Sequence, residues 1–148
     1  PDFILRTTVM LGFPGETEEQ FELLYDFLKN EPFDRVGAFV FCPEDGTKAA
    51  LMDGQIDEAT AKARLDKIMR MQQTVSLELN KKRIGKEYEV LIERVDKDAC
   101  YGRSYAEAPD VDGIIKIINI PASVKPGDFV YAKITDASAY DLKGEFVK

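Results

Sequence analysis

Histidine is absent from the 148 residues. The usual general base and the commonest metal ligand are therefore missing, and a Cys or Ser nucleophile has no obvious proton acceptor. Only two cysteines occur, Cys42 and Cys100. Two lone cysteines make neither a disulfide framework nor a metal cluster, and such sparing use fits a reduced, cytoplasmic setting. No secretory-signal pattern and no apolar run of spanning length is visible, so no membrane partner is expected. Positive charge is short as well: 20 Lys plus Arg face 27 Asp plus Glu, a net charge of −7. General nucleic-acid binding asks for a basic face, so a basic partner suits this chain better. Internal repeats and low-complexity tracts are missing too. What is present, 45% hydrophobic and 32% charged residues, is a globular composition long enough for one domain or two small ones.

The first half of the chain reads as a βαβ unit. Residues 3–11 predict a strand that is apolar on both sides, as buried parallel strands are. A helix follows from Thr17, where Thr17 and Gln20 fit a capping box and Glu16, Glu18 and Glu19 suit the positive end of the dipole. Phe21, Leu24 and Leu28 mark its apolar face, and Asn30-Glu31-Pro32 ends it. Residues 33–41 predict a second strand, parallel to the first. Two strands cannot make a stable sheet alone, and the chain opens inside a strand without a starting Met. It therefore reads as a piece of a longer protein with further strands upstream of Pro1.

A long helix capped by Asp57 comes next, with Ala61, Leu65, Ile68, Gln72, Val75 and Leu79 as a narrow stripe. Some 25 residues span roughly 35–40 Å, enough to bridge two domains. Lys81, Lys82 and Arg83 suit its last turn, and Gly85 ends it. After Gly85 the period changes to two. Strands at 87–95, 100–105, 112–119, 128–135 and 140–147, separated by Asp/Pro/Gly-rich turns, predict a five-stranded antiparallel OB-like barrel. The expected domains are 1–84 and 85–148.

Two strand-end loops carry the best site. Gly12-Phe13-Pro14-Gly15 links the first strand to the helix and leaves backbone N–H groups near a helix start, which favour polar or anionic ligand groups. It lacks the Lys-Ser/Thr of a P-loop, and an ordinary strand-to-helix turn explains it equally well. Residues 41–47 open on the same sheet edge. Cys42 reads as a small buried filler rather than a reactive thiol, and Cys100 as structural. In the barrel, Arg103 precedes Glu107, Asp110 and Asp112. This is either a solvated turn or a negative patch that attracts a basic partner.

The segments Arg6-Thr7-Thr8, Gly12-Phe13-Pro14-Gly15-Glu16-Thr17, Phe33-Asp34-Arg35-Val36-Gly37 and Pro43-Glu44-Asp45-Gly46-Thr47 resemble the radical S-adenosylmethionine methylthiotransferases. Residues 102–113 and 134–145 look like their C-terminal TRAM domain, and Ala108-Pro109-Asp110-Val111-Asp112-Gly113 is similar to the branch that methylthiolates an aspartate β-carbon in a small-subunit ribosomal protein. The resemblance implies the C-terminal βαβ part of a radical-SAM, partial TIM-like barrel, then a bridging helix and a TRAM barrel. It implies S-adenosylmethionine and two [4Fe–4S] clusters in the whole enzyme. The six cluster cysteines are absent here, so this chain alone is expected to be inactive and to hold no metal. By analogy Gly12, Phe13, Phe41, Cys42 and Pro43 line the S-adenosylmethionine pocket, while Arg103, Glu107, Asp110 and Asp112 meet a basic ribosomal protein. The alternatives are part of a tRNA methylthiotransferase with an RNA-gripping TRAM domain, or a non-catalytic RNA- or protein-binding module.

Overall fold

The computed structural model describes residues 3–148, and the chain divides into two compact units that meet in sequence between Val75 and Ser76. In the first unit, β1 (Arg6–Leu11) and β2 (Arg35–Val40) are parallel, with Thr8 opposite Gly37 and Met10 opposite Phe39. The crossover between them is α1 (Glu18–Asn30), as parallel pairing requires. Its start is the expected capping box. Thr17 Oγ1 accepts from the Gln20 N–H at 3.3 Å, and the Gln20 side chain accepts from the Thr17 N–H at 3.0 Å. A short 3-10 turn at Ala49–Leu51 precedes α2 (Glu58–Lys81), which opens where the Asp57 carboxylate accepts from the Thr60 N–H at 2.9 Å. The sequence of α2 contributes to both units.

Leu11, Phe21, Leu28, Ile68 and Met71 form the first core, and Val9, Val36 and Ala38 pack against it. Each fully buried aliphatic side chain contributes roughly 1.5–3 kcal/mol. The near-continuous apolar strands predicted burial on both faces, yet this sheet is covered on one. Strand side chains alternate, so Thr8, Met10, Gly37 and Phe39 share the other face, and Met10 and Phe39 are 41% and 46% exposed there.

The second unit is a closed barrel of β3 (Glu87–Val95), β4 (Ala99–Arg103), β5 (Ile115–Ile118), β6 (Phe129–Ala137) and β7 (Leu142–Phe146) in the order β3-β4-β5-β7-β6. It is mixed rather than antiparallel throughout: β5 and β7 run parallel, and the other pairs are antiparallel. Side-chain alternation tells which residues face inward but not which strand lies alongside, so the pattern could not show this. The core is Val90, Ile92, Cys100, Ile115, Ile117, Val130, Ala132, Ile134 and Leu142. A Cβ at Gly102 would run into the Leu91 carbonyl, so only glycine allows β3 and β4 to approach there. Register shifts between Ile92 and Arg94 and between Ile134 and Asp136 add the local bend that barrel closure uses.

Candidate functional site

The loop after β1 is shaped by contacts within the first unit. Gly12 has φ +75°, and a Cβ there would lie 2.6 Å from the Ala61 Cβ of α2. Its N–H donates to Glu16 Oε2 at 3.1 Å. The Gly15 N–H donates to the Gly54 carbonyl at 2.9 Å, and the Glu16 N–H to the Phe13 carbonyl at 3.0 Å. These donors were expected to face a ligand; the structure uses two of them inside the loop and the third on Gly54. Glu16 is held in turn by Arg64, whose Nη1 lies 2.6 Å from Glu16 Oε1 and whose Nη2 lies 2.9 Å from Glu18 Oε2. Arg64 is only 8% exposed and rests its guanidinium over the Phe21 ring at 5.4 Å. Burial works against its charge, but the hydrogen bonds to Glu18 and Glu16 outweigh this and hold its pKa above the ordinary guanidinium value.

The structure brings some of the five sequence-predicted cofactor positions together. Phe13 and Phe41 meet edge to face at 5.2 Å, and the Phe41 N–H donates to the Leu11 carbonyl at 2.8 Å, joining the two strand ends. Gly12 is buried under Ala61 and serves as a close-approach point, not as a free donor. Cys42 and Pro43 are exposed. The buried-filler reading of Cys42 is therefore corrected: the residue lies past the end of β2, where the chain leaves the sheet. Phe41, two positions after Phe39, continues the open apolar face. An aromatic pair beside such a face fits the apolar part of a nucleoside-containing molecule such as S-adenosylmethionine. Iron–sulfur ligation is different. Among the described residues no group of three or more Cys, Asp or Glu side chains is placed to hold a metal ion. Cys100 lies in the barrel core, where burial pushes its thiol pKa up, in line with its structural reading.

In the barrel, the turn between β4 and β5 is built on a buried ion pair. Arg83 Nη1 meets Glu107 Oε1 at 2.6 Å, with side chains 10% and 2% exposed. Glu107 Oε2 accepts from the Ser104 N–H at 2.9 Å and the Ser104 hydroxyl at 2.6 Å. Arg83 also donates to Ser104 Oγ at 3.2 Å and lies 4.6 Å over the Tyr88 ring. Burial opposes its charge, but Glu107 and then Tyr88 hold its pKa above the ordinary value. Glu107, expected to present charge at the surface, is therefore inside and shapes the turn. Asp112 is half-buried and accepts from the Ala108 N–H at 2.7 Å. Asp110 is exposed, at a left-handed φ of 60°. Arg103 Nε pairs with Glu93 Oε1 of β3 at 2.8 Å.

Arg64 has no role in the sequence reading, and Arg83 figures there only as a cation suited to the helix end. Arg64 carried a readable signal: it stands three positions after Ala61 and four before Ile68, on the buried stripe. A charge on such a stripe demands a partner.

Fold and site together define an α/β layer with an aromatic-lined strand end and a five-stranded OB-like barrel. Residues 84–147 match the TRAM domain. Along nearly its whole length the chain is similar to RimO-type methylthiotransferases, as the motifs implied. The ribosomal protein uS12 methylthiotransferase RimO of Dictyoglomus thermophilum is 49% identical over 99% of this chain and 33% of its own length. Those of Carboxydothermus hydrogenoformans and Thermoanaerobacter sp. are 46% and 45% identical over 99% of this chain, and over 34% and 33% of their own lengths. The chain thus spans about a third of the length of the curated relatives it matches.

Proposed function

We propose that this chain is the C-terminal part of a radical S-adenosylmethionine enzyme that adds a methylthio group to an aspartate β-carbon in a small-subunit ribosomal protein. The observation that carries this reading is the 43–49% identity, along nearly the whole chain, to proteins named ribosomal protein uS12 methylthiotransferase. Functional parts are taken to divide at residues 84 and 85. In the first part, Phe13 and Phe41 form an apolar wall against S-adenosylmethionine, with Cys42 and Pro43 at its rim and Gly12 setting the loop's path. The cofactor, when bound, supplies the radical chemistry the resemblance implies. No cluster ligand is assigned to this chain, and no step is routed through one. The 148 residues alone are expected to show neither iron–sulfur absorbance nor turnover. A cytoplasmic setting agrees with this reading; among the described residues, no helix is long and apolar enough to cross a membrane.

The barrel is assigned to docking of the basic protein substrate, with Asp110 and Asp112 on its turn, Arg103 beside them and Glu107 beneath. The chain's net charge of −7 favours a basic protein over tRNA. Titration of the chain with the ribosomal protein and with tRNA tests this at about 0.15 M salt, where weak surface attraction is screened. The protein is expected to bind more tightly, and the double change Asp110→Asn and Asp112→Asn is expected to weaken that complex. Tighter tRNA binding would move the chain to the tRNA-modifying branch.

A further inference from the structure

Four observations converge on the loop after β1. The guanidinium of Arg64 is at hydrogen-bond distance from both Glu16 and Glu18. Glu16 spends its second oxygen on the Gly12 N–H. Ala61, one turn before Arg64 on the same helix, closes over Gly12. Finally, Arg64 Nε is buried with no hydrogen-bond partner among the described residues. A buried ion pair is a poor source of net stability, since apolar residues of similar volume often serve as well or better. Its geometric specificity is what an apolar replacement lacks. Here that specificity is delivered to Gly12, and Phe13, which meets Phe41, is the next residue.

We propose that Arg64 is a positioning residue: through Glu16 it fixes the Gly12 loop so that Phe13 stands ready beside Phe41 for the adenosyl cofactor. This rests on the reading of that aromatic pair as a cofactor wall. Arg64 itself touches no reacting atom. Its effect is preorganisation, which shows as cofactor affinity because the loop need not be ordered on binding.

The test uses the whole methylthiotransferase that carries this chain. S-adenosylmethionine affinity is measured by calorimetry and melting temperature by differential scanning, for Arg64→Met, Arg64→Lys, Glu16→Ala, the Arg64→Met/Glu16→Ala pair and Phe13→Ala. Arg64→Met and Glu16→Ala are each expected to weaken cofactor binding about tenfold, the scale of one lost charge-assisted hydrogen bond. The pair is expected to be little worse than either alone, because the two act as one unit. Arg64→Lys, which keeps the charge but not the fork, should fall between. At saturating cofactor, kcat should change little while KM for the cofactor rises. A purely structural role would lower the melting temperature and leave affinity well below it unchanged; that result, with Phe13→Ala still weakening binding, overturns the proposal. If Phe13→Ala binds the cofactor normally, the reading of this loop as a cofactor wall fails, and the role of Arg64 with it. Should Arg64→Met not fold, Arg64→Lys decides by the same criteria.

Discussion

In the barrel each strand has two neighbours and β6 returns to β3, whereas β1 and β2 pair with each other in a two-stranded sheet. Closure removes edges, and a two-stranded layer gains what stability it has from the helices packed on it. The open face of that layer carries Met10 and Phe39, with Phe13 and Phe41 at the strand ends. The barrel instead turns Ile115, Ile117 and Ile134 inward to 0–1% exposure. Both regions nevertheless solve one local problem in the same way. A loop that must hold a shape is pinned by an Arg–Glu pair, Arg64–Glu16 in the layer and Arg83–Glu107 in the barrel. The shared device shows that loop shape is specified in both regions by buried charge as well as by packing.

The largest break in this comparison should come from Arg83→Met. It leaves Glu107 buried without its cation, a loss of about 3–5 kcal/mol that urea unfolding followed by circular dichroism would read. Adding Glu107→Gln should recover part of it. Truncating Leu11 to Ala should cost about 2–5 kcal/mol by leaving a cavity in the first core. Its unfolding transition should separate from that of the barrel if the two units fold independently. Thr17→Ala removes the capping oxygen of α1 and should cost about 1 kcal/mol. Asp110→Asn should change stability by no more than about 0.5 kcal/mol, since Asn tolerates the left-handed backbone as Asp does.

Cysteine chemistry sharpens the contrast without a substitution. Iodoacetamide should label Cys42 in the folded chain and reach Cys100 only when denaturant opens the barrel, with peptide mass spectrometry reading both sites. Burial raises the Cys100 pKa, so the folded barrel favours the neutral thiol. That contribution is fully present below the thiol's ordinary value of 9.0 and is lost as pH rises above it. A fall in barrel stability across that range, smaller in Cys100→Ala, is the expected result, since Tyr and Lys side chains also titrate there.

How much of this was legible follows from which signals are local. The capping box at Thr17, the stripe from Ala61 to Leu79 and the span of β3 were readable because spacing alone encodes them. The parallel pairing of β5 with β7 was not, since it depends on where a distant hairpin returns. Glu107 read as surface charge because its partner, Arg83, is remote in sequence and was itself assigned to a helix end. The position of the Gly12 loop at a strand end is legible from the residues, whereas the partners of its N–H groups are not. One partner, Glu16, is local but bonds through its side chain, and the other, Gly54, is remote in sequence and reaches the loop only in the folded unit. A small apolar residue beside a strand is usually covered, but Cys42 lies past the last residue of β2 and is exposed.

Hydrogen exchange on the chain, resolved by residue with NMR, tests the contrast most directly. The account predicts that amides in β3–β7 exchange together and slowly, as one cooperative unit, while those of β1 and β2 exchange much faster through local opening. Equal protection of β1, β2 and the barrel strands would contradict it, because the two-stranded layer would then be as self-sufficient as the closed barrel.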